Sequence, residues 1–240
     1  MPISLVVFSW ITLAVGVICA LWIAFDVAKR PQHMTVMQFV WPICALFGGP
    51  VLLWFYLRYG RAMPASAQGQ SGHHTHHANT PHAAAVAKSA LHCGAGCTLA
   101  DIIGENLAAA APAVLKPFGY PGLFSDELYA VWGLDFVLAL IIGIAFQYFA
   151  IRPMNKDLSA GAALTQAAKA DVLSLSSWQI GMYGLMAIAI FAIYEPLFGM
   201  RPDVASPVFW MTMQAAMIAG FVTAYPANWL LIKLGIKHAM

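Results

Sequence analysis

The chain has 240 residues, 61% of them hydrophobic and only 9% charged, with a formal net charge of +2. Soluble domains carry about 25% charged residues, so this composition belongs to a protein of the lipid bilayer. No basic run exists that could hold a nucleic acid, which excludes that class of partner.

The spacing of apolar stretches predicts an all-α, polytopic bundle of about six transmembrane spans. Pro2 to Phe25 reads as the first, closed by Asp26, Lys29, Arg30 and Pro31. It lacks a preceding Lys or Arg and is too long for a signal-peptide core, so it reads as a retained span. Met34 to Leu57 reads as the second, closed by Arg58 and Arg61, with a kink at Phe47-Gly48-Gly49-Pro50. Trp10, Trp22, Trp41, Trp54 and Tyr56 are candidate interfacial anchors.

An Ala/Gly/Ser-rich stretch follows that carries His73, His74, His76, His77 and His82. Nothing in it could form an apolar core, so it reads as disordered. The expected organisation is therefore a two-span segment over 1–61, a His-rich linker over 62–89 and a four-span domain over 90–240. In that domain Ala90 to Leu115, Leu128 to Ile151, Trp178 to Phe198 and Pro207 to Leu231 read as spans. The last is interrupted at Tyr225-Pro226. Leu158 to Leu175 mixes apolar residues with Lys169 and Asp171 and suits an amphipathic helix lying in the interface. With six spans, eight of the 12 Lys and Arg residues fall on the side holding the linker and both termini. The positive-inside rule makes that side cytoplasmic.

The chemistry gathers on the stretch from His92 to Glu105. Cys93, Cys97, Asp101 and Glu105 lie four residues apart. On a helix they share a face about 120° wide and roughly 18 Å long. Paired thiolates suit Cu(I) or another soft ion, and His92 could add a third ligand. Equally, Gly94, Gly96 and Gly104 permit close helix packing, with the thiols filling space. A carboxylate at membrane depth costs ~2.5–3.5 kcal/mol, which makes Asp101 and Glu105 candidates for function. Asp135 is expected to face the bundle interior, as a pathway or proton-relay group or as a structural hydrogen bond. Glu195 and Asp126 lie near span ends and read as local structure.

The histidines of the linker could collect a transition metal through neutral imidazoles. Met182, Met186, Met211, Met213 and Met217 read as core filler. Cys19 and Cys44 read as packing residues. Gln147, Gln179 and Gln214 could hydrogen-bond across helices. No phosphate-binding loop, dinucleotide turn, zinc-protease helix or nucleophile elbow occurs. Nothing marks an ATP-driven pump or a hydrolase, and an enzyme is not expected.

Several stretches are similar to one known family. They are His92-Cys93-Gly94-Ala95-Gly96-Cys97 with Asp101, Leu134-Asp135-Phe136-Val137-Leu138-Ala139 and Gly143-Ile144-Ala145-Phe146-Gln147-Tyr148-Phe149. Lys169-Ala170-Asp171 with Gly181-Met182-Tyr183-Gly184, and Tyr225-Pro226-Ala227-Asn228-Trp229, complete the set. From His92 onward the chain resembles an uncharacterised family of bacterial integral membrane proteins, a domain of unknown function sometimes labelled copper-related. Residues 34–61 resemble the small two-span segment joined to such domains. The resemblance implies a bacterial inner membrane and hints at copper as cofactor or cargo.

The leading expectation is a membrane protein that binds or moves a transition-metal ion, copper foremost, through the Cys/Asp/Glu helix face. The alternatives are a non-transporting partner that assembles a metalloenzyme, and a thiol redox protein cycling Cys93 and Cys97. Expected partners are the lipid bilayer, a metalloprotein and a second copy of the chain.

Overall fold

The computed structural model describes residues 1–30, 32, 34–62, 80–154 and 159–237, with the side chains of 152–154 outside that description. Among the described residues every regular element is helical. Six long helices form the bundle: α1 (Ile3–Lys29), α2 (Met37–Phe55), α3 (His82–Ala110), α4 (Glu127–Met154), α5 (Ala160–Ala187) and α6 (Pro207–Lys233). A π-helical turn, Tyr56–Gly60, continues α2. Another, Ile188–Tyr194, carries α5 on to Glu195–Phe198. Five stretches are long and apolar enough to cross a membrane. A sixth is added if α3 is joined to the short 3-10 helix Pro112–Phe118, which bends away from it by 113°.

The kink expected in the second span is a reversal. Trp41 and Tyr56 are fifteen residues apart, which a straight helix would stretch to about 22 Å. Their ring centroids nevertheless lie 5.4 Å apart, and Trp41 also meets Phe55 at 5.9 Å. Gly49, at φ 48° and ψ −133°, makes the break, a conformation open to a residue without a Cβ. Pro50 then opens the second half-helix, where its missing N–H costs nothing. The backbone carbonyl of Leu46, freed by the break, accepts from Gln214 Nε2 at 2.6 Å. So α2 is a re-entrant hairpin whose tip lies against the middle of α1 and α6. Trp41 and Tyr56, expected at the interface, are buried inside it.

This hairpin changes the topology expected from the sequence. Arg61 Nη2 reaches Asp26 Oδ1 at 2.8 Å, and Tyr56 Oη donates to Asp26 Oδ2 at 2.8 Å. The end of α2 therefore returns to the end of α1. Tyr225 Oη donates to the Ala83 carbonyl and Lys237 Nζ to the Ser89 carbonyl, bringing the start of α3 and the end of α6 together. At the opposite end the Met1 amine meets Met200 Sδ, and Ser9 Oγ meets Met211 Sδ. Met1 and Lys237 thus lie at opposite ends of the bundle, where an even number of spans placed them together. The opposite end is tied by Arg201, which bonds Asp126 at 2.6 Å and Glu195 at 2.5 Å. Partial burial opposes ionisation of Asp126, but the Arg201 bond prevails and holds that carboxyl below its usual value.

Three further boundaries differ from expectation. Residues 82–89, assigned to the linker, form the first two turns of α3, where an Ala-rich run buries Ala84 to Ala87. His73, His74, His76 and His77 lie outside the described residues. The segment expected to lie in the interface is the first half of α5. Its polar residues Asp171 and Ser174 are buried with Ala163, Ala167 and Ala170 on one inward face. Pro226 does not interrupt α6, which is continuous to Lys233.

The outer helices present Ile18, Leu21, Ile141, Phe149, Ile180 and Val222 outward, all at least half exposed. That belt suits lipid tails. Helix α3 instead sits at the centre, touching α2, α4, α5 and α6. Its closest approach is to α4, where Gly96 faces the backbone of Gly143. Gly96→Ala would put a Cβ 3.1 Å from the Gly143 Cα, and overpacking of that kind is expected to cost about 1–3 kcal/mol. Gly184→Ala, which meets nothing within 4 Å, is expected to stabilise its helix by about 0.5–1 kcal/mol. Thermal unfolding in detergent separates the two; equal melting would refute the tight α3–α4 contact.

Candidate functional site

The face read from the sequence points inward. Cys93, Cys97 and Asp101 have no exposed surface, and Glu105 keeps 5%. His92 is buried too, edge-on to Phe146 with ring centroids 6.1 Å apart. These residues are strung along α3 rather than gathered. Among the described residues no three His, Cys, Asp or Glu side chains converge closely enough to hold a metal ion. The structure instead divides the face into two polar layers.

The first layer surrounds Cys93. Its thiol donates to Asp171 Oδ1 at 2.8 Å and lies 2.9 Å from Ser174 Oγ, both on α5. From α6, Asn228 Nδ2 donates to Ser174 Oγ at 2.6 Å. Lys237 Nζ closes the group by donating to Asn228 Oδ1 at 2.8 Å, the Ser89 carbonyl at 3.1 Å and Cys93 Sγ at 3.2 Å. Every one of these side chains is buried, Lys237 keeping only 2% exposure. A buried ammonium is tolerable when it is hydrogen-bonded and a counter-charge lies close by. Here Asp171 supplies that charge through the Cys93 thiol.

The second layer lies about 12 Å further along α3, two turns and more from Cys93. Asp101 borders a cavity of about 150 Å³ lined also by Thr98, Met213, Gln214 and Met217. Leu46 and Phe47, at the tip of the α2 hairpin, form another wall. Neither oxygen of Asp101 has a hydrogen-bond partner among the described residues, and the same holds for Asp135. Asp135, 1% exposed, projects from α4 onto the backbone of Gly104, so closely that a Cβ there would strike its carboxylate. That places it on the turn of α3 bearing Asp101 and Glu105. Unpartnered buried carboxylates of this kind either hold a proton or attract a cation.

Trp178 separates the layers. Its ring is clamped between Gly94 of α3 and Gly220 of α6, where a Cβ on either would collide with it. It donates to Met217 Sδ at 3.4 Å and packs edge-on to Phe47 of the hairpin tip. Met182, Met186, Met213 and Met217 are core residues, as expected. Of the three glutamines, Gln214 bonds across helices as expected. Gln179 is buried with neither amide atom partnered among the described residues, and the Oε1 of buried Gln147 is also unpartnered. His82 is exposed at the start of α3.

Lys237 and Ser174, which contact Cys93, and Asn228, which bonds both of them, carry no signal in the sequence. Their separations from Cys93 of 144, 81 and 135 residues leave no local pattern to detect. Asp171 carried a signal: it shares a period of three or four with buried Ala163, Ala167 and Ser174.

Residues 83–237 match the family described as a domain of unknown function, DUF4396. The chain belongs to that family. The matched region opens at the first turn of α3 and closes on Lys237, so both polar layers lie inside the DUF4396 domain and α1 and α2 outside it. No curated protein and no solved structure matches the chain significantly.

The first layer predicts a contrast between two asparagines. Asn228→Leu leaves Lys237 and Ser174 short of a partner, at about 1–3 kcal/mol for each group left unsatisfied. Asn106→Leu, exposed and bonded only within its own helix, is expected to stay within about 0.5 kcal/mol of the parent. Denaturation in detergent checks both.

Proposed function

We propose that this DUF4396 protein binds or translocates a transition-metal ion, copper foremost, along the inward face of α3. The observation that carries the reading is the pair of unpartnered carboxylates, Asp101 and Asp135. Asp101 borders the cavity on the same face of α3 as the two buried thiols, and Asp135 reaches from α4 onto the adjoining turn at Gly104. Inserting such carboxylates costs ~2.5–3.5 kcal/mol apiece on insertion scales, an expense that argues for function. The re-entrant hairpin points the same way, because broken backbone at membrane depth is tolerated where it is buried in protein or lines a cavity.

In this reading Cys93 and Cys97 take the ion at the α3 N-terminal end, with His92 adjacent. Thiolates select soft ions such as Cu(I). Asp101, Glu105 and Asp135 then offer successive polar steps or carry counter-moving protons. Since no three His, Cys, Asp or Glu side chains converge among the described residues, this reading has the ion held by one or two of these at a time, with neutral oxygens beside them. His73, His74, His76 and His77, which precede α3 in sequence, and His82 at its start would gather the ion. A metalloprotein is the natural recipient or donor, and lipid the surrounding medium.

Orientation follows from the same bundle. Nine of the 11 Lys and Arg residues among the described residues belong to the end where α3 starts and α6 finishes, and Lys116 and Arg201 belong to the other. Read by the positive-inside rule, the thiol end faces the cytoplasm of a bacterial inner membrane, with the C-terminal end inside and the N-terminal end outside.

The test is elemental analysis of purified protein. The parent chain is expected to carry stoichiometric copper after growth with the metal, and Cys93→Ser/Cys97→Ser to carry none. Asp101→Asn/Asp135→Asn is expected to keep bound copper while losing at least about 90%, one decade, of uptake into vesicles, which corresponds to some 1.4 kcal/mol on the rate-limiting step. Metal content unchanged in the double serine variant rejects the site.

A further inference from the structure

The first polar layer already holds a cation. The ammonium of Lys237 is ringed by a carbonyl, an amide oxygen and a thiol sulfur, all within 3.2 Å. Every one of those atoms is an acceptor toward it. Just behind them lies Asp171, whose Oδ1 accepts a hydrogen bond from the Cys93 thiol while Oδ2 has no partner among the described residues. Asp171 has no exposed surface, and its free oxygen is pressed against Gly143 so closely that a side chain there would collide with it.

We propose that the pocket formed by the Ser89 carbonyl, Cys93, Asp171 and Asn228 is a binding site for a soft monovalent cation, and that Lys237 is its tethered competitor. This rests on the reading that cations enter from the Cys93 end of α3. An ammonium and a metal ion ask for the same thing, a set of acceptors with negative charge nearby. The sulfur in the set tilts the choice toward a soft ion. Exchange of one for the other moves no net positive charge into the pocket. Cys93 coordinates as thiolate, its proton passing along the existing hydrogen bond to Asp171 Oδ1, so that one cation replaces another and the net charge of the pocket is unchanged.

The way Lys237 is held suits displacement. Helix α6 ends at Lys233, and Gly235, at φ 70°, turns the chain back. Among the described residues, backbone bonds from Leu234 to Leu230, from Gly235 to Ile232 and from Ile236 and Lys237 to Leu231, 2.9–3.2 Å long, fix the turn. The ammonium therefore sits deep on a short strap at the end of the fold. A ligand that needs the pocket must overcome the seated lysine, so its apparent affinity falls by the fraction of molecules in which the pocket is free.

Silver(I), a redox-stable stand-in for Cu(I), is the probe. Lys237→Leu removes the ammonium without adding a donor atom and is expected to tighten Ag(I) binding about tenfold, with Lys237→Arg no tighter than the parent. Equal Ag(I) affinity in the parent and Lys237→Leu overturns the proposal. A second measurement uses the unaltered chain and decides the matter if Lys237→Leu fails to fold. Amine-specific labelling read by mass spectrometry is expected to spare Lys237 without metal and to modify it once Ag(I) is bound; protection that persists in the Ag(I)-bound protein overturns the proposal. The outcomes separate the two readings. Tight Ag(I) binding by Lys237→Leu in a protein that moves no metal into vesicles keeps this site and removes the transport function. Copper that depends on Cys97 alone, with Lys237→Leu unchanged, does the reverse.

Discussion

Shielding of α3 is the constraint on which the bundle depends. Beyond its first turns this helix carries Asp101, Glu105 and His92, polar groups that lipid would tolerate poorly. It can occupy membrane depth only because protein surrounds it. Small residues make that enclosure possible: Gly96 meets Gly143 backbone to backbone, and Gly94 and Gly220 leave room for the Trp178 ring between α3 and α6. Association of helices in lipid is driven by such close contact, since the lipid is as apolar as the side chains. The apolar residues that would be core in a soluble protein are here turned outward.

The hairpin α2 is the other half of that enclosure. A sixth full span in its place would close the bundle on that side. A half-depth hairpin instead ends at the centre, where its tip faces the cavity beside Asp101. Its broken backbone is stabilised by Gln214, which reaches from α6 to the Leu46 carbonyl. The matched family region starts only after this hairpin, yet Cys44 bonds the Leu91 carbonyl across to α3 and Phe47 packs on Trp178. The two-helix N-terminal part and the family domain thus share one core.

The two polar layers differ in how their charge is met. Around Cys93, most donors and acceptors pair within the protein and a lysine supplies the positive charge, leaving Asp171 Oδ2 and Ser89 Oγ without a partner among the described residues. Around Asp101 and Asp135, neither carboxylate has any partner among the described residues. Between them stands Trp178, bonded to Met217 and held by glycines on two helices. The interior is therefore graded, from a largely paired layer past an aromatic divider to an unpaired one beside a cavity.

From sequence alone, the membrane setting, the all-helical class, the inward face of α3 and the buried position of Asp135 could be read. Each rests on local chemistry: a charge fraction too low for water, a four-residue repeat of polar groups, a lone carboxylate in an apolar run. The tertiary structure alone decided that α2 turns back. A Gly-Gly-Pro break is compatible with a kink or a reversal, and only contacts such as Trp41 with Tyr56 choose between them. That reversal in turn put Met1 and Lys237 at opposite ends. Tertiary structure also chose the partners of Cys93, because Asp171 and Ser174 meet it from α5, Lys237 from the turn after α6, and Asn228 of α6 bonds the last two, at separations no spacing rule can see.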